Sequence, residues 1–268
     1  MKDLADKVVV ITGAAAGIGR ALAREFFKNG ARLHLVDIDA GGVKSAAAEL
    51  NAAAHVVDCT KAKAVSALAG EIFAAEGRVD VLCNNAGVVC GGPVEEIPLS
   101  DWRWAIDVNL WGVIHGVRAF VPRMLKQGSD SHILNTASMA GLVPFPFVAP
   151  YVASKSAVAG LSQALDCELA PRGIRVTALC PGAVRTNVMK AGRLRLPGTW
   201  TDRIIRLVDR RGATPQQAAK DALTAIRKQR TLQVSGATSM FPLWIIKRIS
   251  QPAYHHLARF LTGRALKR

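Results

Sequence analysis

The chain has 268 residues, half of them hydrophobic, so it can bury a full core, and disorder is excluded as its main state. This length suits one large α/β domain or two small ones, and no stretch reaches the ~18 apolar residues of a membrane-spanning helix. The formal net charge of +15 lies entirely in the last third, since residues 1–184 carry equal numbers of acidic and basic side chains.

The cysteines and the N-terminus bear on the compartment. The five cysteines form no Cys-x-x-Cys pair and mostly lie in apolar runs, so we expect reduced core thiols and neither a disulfide framework nor a metal site. Residues 1–6 leave no room for a signal peptide before the first predicted strand. We therefore expect a cytoplasmic protein. The cysteines are Cys59, Cys83, Cys90, Cys167 and Cys180.

The first predicted strand, residues 7–12, is a β-branched run typical of a strand buried on both faces. Gly13, Gly17 and Gly19 follow it, and Ile18 opens a helical pattern that ends near residue 30. Glycines let a backbone approach a pyrophosphate, and amides at a helix start attract its charge. A simple tight turn is the alternative, but the flanking strand and helix favour phosphate binding.

The second predicted strand, residues 32–37, ends in Asp37, about 20 residues beyond the glycines. A carboxylate there would accept hydrogen bonds from an adenosine ribose and repel a 2′-phosphate. Ile38 follows, and no basic residue lies between Gly13 and Gly19. We expect NAD as the cofactor in preference to NADP, and a solvated strand-end acid is the alternative interpretation.

Strands and helices then alternate regularly. We predict strands at 54–58 and 79–83 with a helix at 61–76 between them, and the second strand opens into Asn84-Asn-Ala-Gly87, which suits a closely passing nucleotide. Ser100 is the predicted N-cap of a long helix over residues 101–125, in which Asn109 faces inward. This alternation predicts a parallel, doubly wound α/β sheet (a Rossmann fold), with one domain over residues 1–239.

Three side chains around the next strand, residues 132–137, suggest proton-transfer chemistry. Ser138 closes that strand, at the end where open α/β sheets bind ligands. Tyr151 and Lys155 lie one turn apart on a helix predicted over 151–170, where an ammonium could lower the phenol pKa from its usual value near 10. Tyr-x-x-x-Lys alone often arises by chance.

These motifs, taken together, resemble those of the short-chain dehydrogenase/reductase family of the conventional single-domain type, over about residues 7–186. The resemblance implies that Tyr151 is the acid/base, that Lys155 is its charge partner and a ribose ligand, and that Ser138 orients the substrate. It also implies that Asn109 supports a proton-relay water. The motifs are Thr12-Gly-x-x-x-Gly-x-Gly19, Asp58, Asn84-Asn-Ala-Gly87, Asn109, Ser138, Tyr151-x-x-x-Lys155 and Pro181-Gly182.

The same resemblance implies further cofactor contacts. Asp58 would hold the adenine, and Val184 and Thr186 the nicotinamide carboxamide. The complete predicted cofactor set is Gly13, Gly17, Ile18, Gly19, Asp37, Asp58, Cys59, Asn85, Tyr151, Lys155, Pro181, Val184 and Thr186.

The predicted substrate is lipophilic, such as a steroid, retinoid or long-chain alcohol, because the loop 142–150 is apolar and rich in proline. Phe145 and Phe147 are expected to line the cleft beside Ser138 and Tyr151, with residues 190–215 as a lid; a loop folded onto the body is the alternative. A β-ketoacyl-thioester reductase and a non-catalytic NAD-binding regulator compete with a lipophilic-alcohol dehydrogenase. No nucleic-acid partner is expected, since basicity alone gives only non-specific affinity.

The last third departs from the family. The final strand, 231–236, lacks the acid and two glycines that commonly end it, so a homodimer through the 101–125 and 151–170 helices is expected before a tetramer. Residues 200–211 and 254–268 mix apolar and basic residues at helical spacing. We expect the first to cap the cleft, and the second, within an extension over 240–268, to lie on an anionic membrane surface. The apolar members are Trp200, Ile204, Leu207, Val208, Leu257, Phe260 and Leu261, with Arg259, Arg264, Lys267 and Arg268 around the second set.

Overall fold

A computed structural model of the chain describes residues 1, 3–128, 130–196, 198–236 and 240–266. The side chains of residues 200, 204, 261 and 264–266 lie outside that description. The described strands are β1 (Val8–Thr12), β2 (Arg32–Asp37), β3 (Ala53–Val56), β4 (Val81–Asn84), β5 (Cys90–Gly91), β6 (Ser131–Thr136), β7 (Ile174–Pro181), β8 (Arg193–Leu194) and β9 (Leu232–Ser235).

Helices connect the strands. The α-helices are α1 (Gly17–Lys28), α2 (Ala40–Leu50), α3 (Ala62–Glu76), α4 (Leu99–Ile106), α5 (Gly112–Gln127), α6 (Met139–Leu142), α7 (Ala149–Leu169), α8 (Gly198–Arg211), α9 (Pro215–Arg227), α10 (Phe241–Ile249) and α11 (Gln251–Leu266).

Seven of the strands form one parallel sheet in the order β3-β2-β1-β4-β6-β7-β9, and β5 pairs with β8 apart from it. The chain leaves β1 towards β2 on one side and later returns to β4 on the other, so the strand order reverses between β1 and β4. Open α/β sheets bind ligands at the carboxyl ends of the strands at such a reversal. The predicted doubly wound sheet is confirmed.

Both faces of the sheet are covered, as the β-branched run of β1 predicts. Val9 and Ile11 pack in a core cluster with side chains of α1, α2 and α9, whereas Val8 and Val10 pack in a second cluster with those of α3 and α5. All four valine and isoleucine side chains are fully buried. The two layers of helices therefore hold the β1 carboxyl end at a fixed position.

One predicted helix is interrupted. The segment predicted as a single helix over 101–125 is α4, a π-helical turn over Asp107–Trp111, and α5. Helix α4 begins at Leu99 after Pro98, so the prediction of Ser100 as an N-cap is wrong. Asn109 lies in this π turn and is fully buried. Its side chain forms hydrogen bonds to neighbouring elements, and these bonds account for the wider turn.

Cys167 is exposed, so the prediction that it is a buried core thiol is wrong, whereas the other four cysteines are buried.

Among the described residues, no helix combines the length and the hydrophobicity that a membrane-spanning segment needs.

The C-terminal helices fold back onto the body of the protein. Trp244 and Leu243 of α10 pack with Tyr254 of α11 against Met139 and Val143, in a third cluster beside β7. The predicted boundary at residue 239 falls among residues 237–239, which lie outside the described residues.

Candidate active site

The carboxyl ends of β1, β4, β6 and β7 border a cavity of about 430 Å³. Most of the residues predicted from the sequence for the cofactor and for catalysis line it. These are Gly13, Gly17, Ile18, Asp37, Asn85, Ser138, Tyr151, Lys155, Pro181, Val184 and Thr186.

The glycine turn forms one wall of the cavity and requires glycine. Gly13 and Gly17 have φ of 66° and 56°, in the left-handed region that side chains disfavour. A Cβ on Gly13 would lie 2.7 Å from the Ala86 Cα, and one on Gly19 would lie 2.0 Å from the Gly13 carbonyl oxygen. Gly19 does not line the cavity, so its part is to let α1 pack against the turn. Gly13 and Gly17 both line the cavity with bare backbone, and bare backbone at a helix start is what a pyrophosphate-binding cradle requires.

Asp37 lies at the edge of this cradle. One carboxylate oxygen accepts a hydrogen bond from the Ala15 N–H (2.9 Å) and the other from the Asp39 N–H (3.0 Å). Lys155 is the one basic residue among the described residues that line the cavity. The site therefore offers a carboxylate for ribose hydroxyls, and the described lining residues include no arginine, and no lysine other than Lys155, for a 2′-phosphate.

Asn85 joins three strand ends at the floor of the cavity. Its side-chain N–H groups donate to the carbonyl oxygens of Thr12 (3.1 Å) and Gly13 (3.3 Å), and its Oδ1 accepts from the Thr136 hydroxyl (3.1 Å). The Thr12 hydroxyl in turn accepts from the Asn85 N–H (2.9 Å). Asn85 thus supports the glycine turn, and Thr12 and Thr136 are supporting residues that the sequence did not single out.

The three predicted catalytic side chains converge on the cavity. Ser138 follows β6, and its oxygen accepts from the Ala140 N–H (3.1 Å) while its hydroxyl is hydrogen-bonded to Tyr151. The Lys155 Nζ donates to the Thr136 carbonyl oxygen (2.7 Å) and lies 5.9 Å from the centre of the Tyr151 ring. Helix α7 carries Tyr151 and Lys155 one turn apart on the face towards β6, as predicted.

The electrostatics of this group differ from the sequence prediction. Burial raises the pKa of Tyr151 above its usual value, and the hydrogen bond from Ser138 opposes that rise. Burial lowers the pKa of Lys155 to about 8. The expected lowering of the phenol pKa by the ammonium is therefore not seen in the protein alone, because desolvation is the larger effect. The ammonium still carries most of its charge at pH 7.

Asn109 holds two elements together beneath Lys155. Its amide N–H groups donate to the Val88 carbonyl oxygen (2.9 Å) and the Ser154 hydroxyl (3.0 Å), and its Oδ1 accepts from the Val88 N–H (2.8 Å). A Cβ on Gly87 would lie 3.2 Å from both the Asn109 Oδ1 and the Lys155 Nζ, so glycine at 87 allows these two side chains to approach. Both amide hydrogens of Asn109 are already used within the protein.

Comparison with known proteins identifies the family. The family model described as short chain dehydrogenase matches residues 7–195. The chain belongs to the short-chain dehydrogenase family. The curated relatives include the probable oxidoreductase EphD of Mycobacterium tuberculosis, 33% identical over 266 residues, which cover 95% of this chain and 45% of that protein. The chain thus spans about half the length of the first curated relatives that it matches.

Other matches cover more of their counterparts. The 1-deoxy-11-beta-hydroxypentalenate dehydrogenase of Streptomyces avermitilis is 42% identical over 194 residues, or 70% of this chain and 72% of that protein. A short-chain dehydrogenase/reductase of Burkholderia phymatum, solved in complex with NAD, superposes with a TM-score of 0.85 at 33% identity over 92% of this chain and 95% of that one. A 3-ketoacyl-(acyl-carrier-protein) reductase of Brucella melitensis complexed with NADH gives 0.77 at 30% identity, over 87% and 97%.

Two residues implied by the resemblance to this dehydrogenase family lie beside the cavity and do not line it. The Asp58 carboxylate accepts from the Thr60 N–H (2.9 Å) in the turn before α3. Cys59 is buried, burial raises the pKa of its thiol to about 11, and its carbonyl oxygen is hydrogen-bonded to His115 Nδ1 (2.9 Å). The Val57 N–H donates to the Asp37 carbonyl oxygen (3.0 Å), which places this turn next to Asp37. An adenine contact of Asp58 stays a prediction.

The two phenylalanines predicted for the substrate wall of the dehydrogenase lie elsewhere. Phe145 packs against the third core cluster, beside the C-terminal helices, because the loop folds onto the body, which was the alternative interpretation. Phe147 has a φ of 64°, and its carbonyl oxygen accepts from the Gly92 N–H (2.7 Å). Beyond the residues predicted for the cofactor, the described apolar side chains that line the cavity include those of Val88, Val108 and Val188.

The segment after β7 covers the cavity and is fixed at both ends. Near its start, the Arg185 N–H donates to the Ala213 carbonyl oxygen (2.9 Å). At its far end, Arg193 and Arg195 bind the two carboxylate oxygens of the buried Asp101 at 2.9 and 2.8 Å, and the Arg193 guanidinium lies 4.1 Å from the centre of the Trp104 ring. The predicted lid contains α8, in which Leu207 is exposed; the side chains of Trp200 and Ile204 lie outside the described residues.

No group of three or more His, Cys, Asp or Glu side chains within the described ranges could hold a metal ion.

Proposed function

We propose that this dehydrogenase transfers a hydride between NAD(H) and a secondary alcohol or ketone of a lipophilic substrate. The observation that carries the proposal is the convergence of Ser138, Tyr151 and Lys155 on a cavity that also contains the glycine cradle. NAD, when bound, supplies the hydride acceptor or donor. Gly13 and Gly17 would hold its pyrophosphate, and Asp37 its adenosine ribose.

Tyr151, Ser138 and Lys155 have different roles in the proposed proton transfer. On reduction, the neutral Tyr151 hydroxyl gives its proton to the substrate oxygen; on oxidation, the Tyr151 phenolate takes the proton of the substrate hydroxyl. In both directions Ser138 holds the substrate oxygen by a hydrogen bond. Lys155 supplies positive charge on the inner side, where its bond to the Thr136 carbonyl fixes the ammonium. Because Lys155 is buried, this charge acts through a medium of low dielectric constant.

A lipophilic substrate is supported by apolar side chains that line the cavity. Val88, Val108 and Val188 offer no hydrogen-bonding group, so they favour a hydrocarbon skeleton around the carbinol carbon. The hydroxypentalenate dehydrogenase of Streptomyces avermitilis is named for such a compound, which agrees with the proposal.

A β-ketoacyl-thioester reductase is the second candidate. The structural neighbour from Brucella melitensis carries that description and was solved with NADH, so the carboxylate of Asp37 does not argue against this class. A non-catalytic NAD-binding regulator is the weaker alternative, because it would not need the assembled Ser138, Tyr151 and Lys155.

The first experiment is a substrate screen that compares both directions. NAD is offered with steroids, retinol and alkanols of graded length, and NADH with β-ketoacyl thioesters, with absorbance of the reduced cofactor as the readout. We expect kcat/KM to rise about threefold or more with each added methylene while the pocket still encloses it, since burying one CH₂ contributes about 0.8 kcal/mol. A thioester turned over faster than every alcohol would replace the first proposal by the second.

Cofactor preference gives a second test. We expect kcat/KM of the unmodified enzyme to be about 100-fold higher with NAD than with NADP. Asp37→Ala should reduce this ratio about tenfold or more, because it removes the hydrogen bonds to the ribose of NAD and the charge repulsion of the 2′-phosphate of NADP. Because Asp37 also accepts the Ala15 N–H, Asp37→Asn is the matched control that keeps an acceptor and removes the charge. Equal kcat/KM for both cofactors in the unmodified enzyme would contradict the role of Asp37.

We further propose a homodimer formed through α5 and α7, and peripheral membrane association through the C-terminal helices. The dimer is supported by the absence of the family's usual acid and glycines after β9 in the sequence, which disfavours the tetramer contact. The membrane contact is supported by the concentration of basic charge in the last third of the chain.

A further inference from the structure

The C-terminal helix α10 has one partly buried and one exposed apolar face. Trp244 and Ile246 pack against the third core cluster. Phe241, Ile245 and Ile249 are spaced by four residues, so they share the other face, and they are 44%, 38% and 81% exposed. We call these three side chains the apolar ridge. The predicted membrane stripe, centred on Leu257 and Phe260 of α11, is only partly available, because Leu257 is half-buried.

The helices next to the apolar ridge are hydrogen-bonded to the segment between Ser138 and Tyr151, which we call the catalytic loop. The Lys247 ammonium donates to the Leu142 carbonyl oxygen (2.7 Å), and the Tyr254 hydroxyl donates to the Pro144 carbonyl oxygen. Tyr254 is 3% exposed. These bonds join α10 and α11 to the segment between Ser138 and Tyr151, so the ridge adjoins the loop that connects two catalytic residues.

The sequence that contains the ridge carries basic residues and no acidic ones. No Asp or Glu follows Asp221, whereas the 47 residues after it include nine Lys and Arg. Arg248 is exposed beside the ridge, with its guanidinium 5.1 Å from the centre of the Trp244 ring, and Arg259 of α11 is exposed as well. The side chains of Leu261 and Arg264, and Lys267 and Arg268 entirely, lie outside the described residues.

We propose that the apolar ridge inserts into the surface of an anionic lipid bilayer, with Arg248 and Arg259 at the level of the headgroups. This inference rests on the proposed lipophilic substrate, and it replaces α11 by α10 as the inserting helix. An anionic bilayer supplies both hydrocarbon for the ridge and phosphate for the arginines. The alternative occupant of the ridge is a second copy of this chain. A symmetric dimer through the ridge would bring the two copies of Arg248 together, and this end of the sequence has no carboxylate to pair with them. Charge repulsion therefore disfavours the dimer.

Docking in this orientation places the catalytic loop next to the bilayer. Helix α10 bonds through Lys247 to Leu142, four residues after Ser138, so docking would hold this segment about one helix width from the lipid. The lipid surface is therefore the partner that delivers the substrate, and the carbinol carbon need not cross water.

The test uses the full-length protein and co-sedimentation with vesicles of phosphatidylcholine alone or with phosphatidylserine. Deletion of α10 and α11 is unsuitable, because it would remove Trp244 and Tyr254 from the core. We expect Ile245→Ser/Ile249→Ser to weaken partition into anionic vesicles about tenfold or more. Arg248→Gln should weaken it a few-fold and reduce its dependence on salt.

Leu99→Ser is the matched control, since Leu99 is 71% exposed on α4 and is outside the ridge. We expect it to partition like the unmodified protein, and all variants should keep the Tm and the Kd for NAD. Equal partition of the unmodified protein and the double isoleucine variant would overturn the proposal, as would equal binding to neutral and anionic vesicles. Vesicle binding needs no turnover, so a protein that binds lipid and fails the alcohol screen refutes the proposed reaction and supports docking.

Discussion

Tyr151→Phe is expected to lower kcat by at least about 100-fold while leaving the Kd for NAD within about threefold. The substitution keeps the ring and removes only the hydroxyl group that Ser138 contacts, and positioned proton transfer usually contributes 100-fold or more. The measurement is steady-state kinetics on the best substrate of the screen, with cofactor binding followed separately.

The chain offers a matched control, because its second tyrosine, Tyr254, lies outside the cavity. Tyr254→Phe removes the hydroxyl that bonds Pro144, and we expect kcat to stay within about threefold. If Tyr151→Phe kept more than about a tenth of the original kcat, Tyr151 would not be the acid/base.

The second large effect concerns acid stability. His132 of β6 is buried, and burial lowers its pKa to about 3 in the folded protein, compared with about 6.5 when unfolded. The Thr177 hydroxyl donates to the Arg230 carbonyl oxygen, so His132 Nε2 must donate to Thr177 Oγ1 (2.8 Å). The neutral ring with its proton on Nε2 satisfies this bond, and the lowered pKa keeps the ring in that form. The unfolded chain therefore binds a proton that the native state excludes.

The direction of the pH dependence follows from the difference between the folded and unfolded pKa of His132. Above pH 6.5 both states are neutral at His132 and the contribution is fully present; it is lost as the pH falls from 6.5 towards 3. We expect His132→Gln, which keeps a donor for Thr177 and cannot titrate, to reduce the slope of the unfolding free energy against pH by about 1.4 kcal/mol per unit between pH 6 and 4.

Urea unfolding at several pH values measures this slope. His256→Gln is the control, because His256 is exposed on α11 and should leave the slope unchanged. The prediction depends on the change of slope and not on the stability at any one pH, since the substitution in the core has its own cost. An unchanged slope in His132→Gln would show that His132 is not the proton-excluding group.

Local pattern was sufficient to predict the sheet. The β-branched run of β1, the glycines after it and the leucine- and valine-containing run of β2 are each contiguous in sequence, and their structure follows from residues within a few positions. The same holds for Tyr151 and Lys155, since one turn of α7 sets their spacing. Most of the residues predicted for the cavity therefore line it.

The structure differs from the sequence predictions where contacts between residues far apart in the sequence determine the conformation or the pKa. The π turn at Asn109 depends on bonds to Val88 and Ser154, which are 21 and 45 residues away. Phe145 faces the body because α10 and α11 pack over its loop, about 100 residues later in the chain. Likewise, the raised pKa of Tyr151 results from burial by the whole fold, which the local spacing to Lys155 does not report.

The fixed ends of the covering segment have a consequence for how substrate range can change. Arg185 is held by Ala213, and Arg193 and Arg195 by Asp101, so the residues between form a loop closed by the fold itself. The entropy of closing a flexible loop grows only with the logarithm of its length, about 0.6 kcal/mol for each doubling. Insertions between these anchors would therefore cost little stability. New cavity shapes can evolve there by changes in length, with the sheet and the proton-transfer group left unchanged.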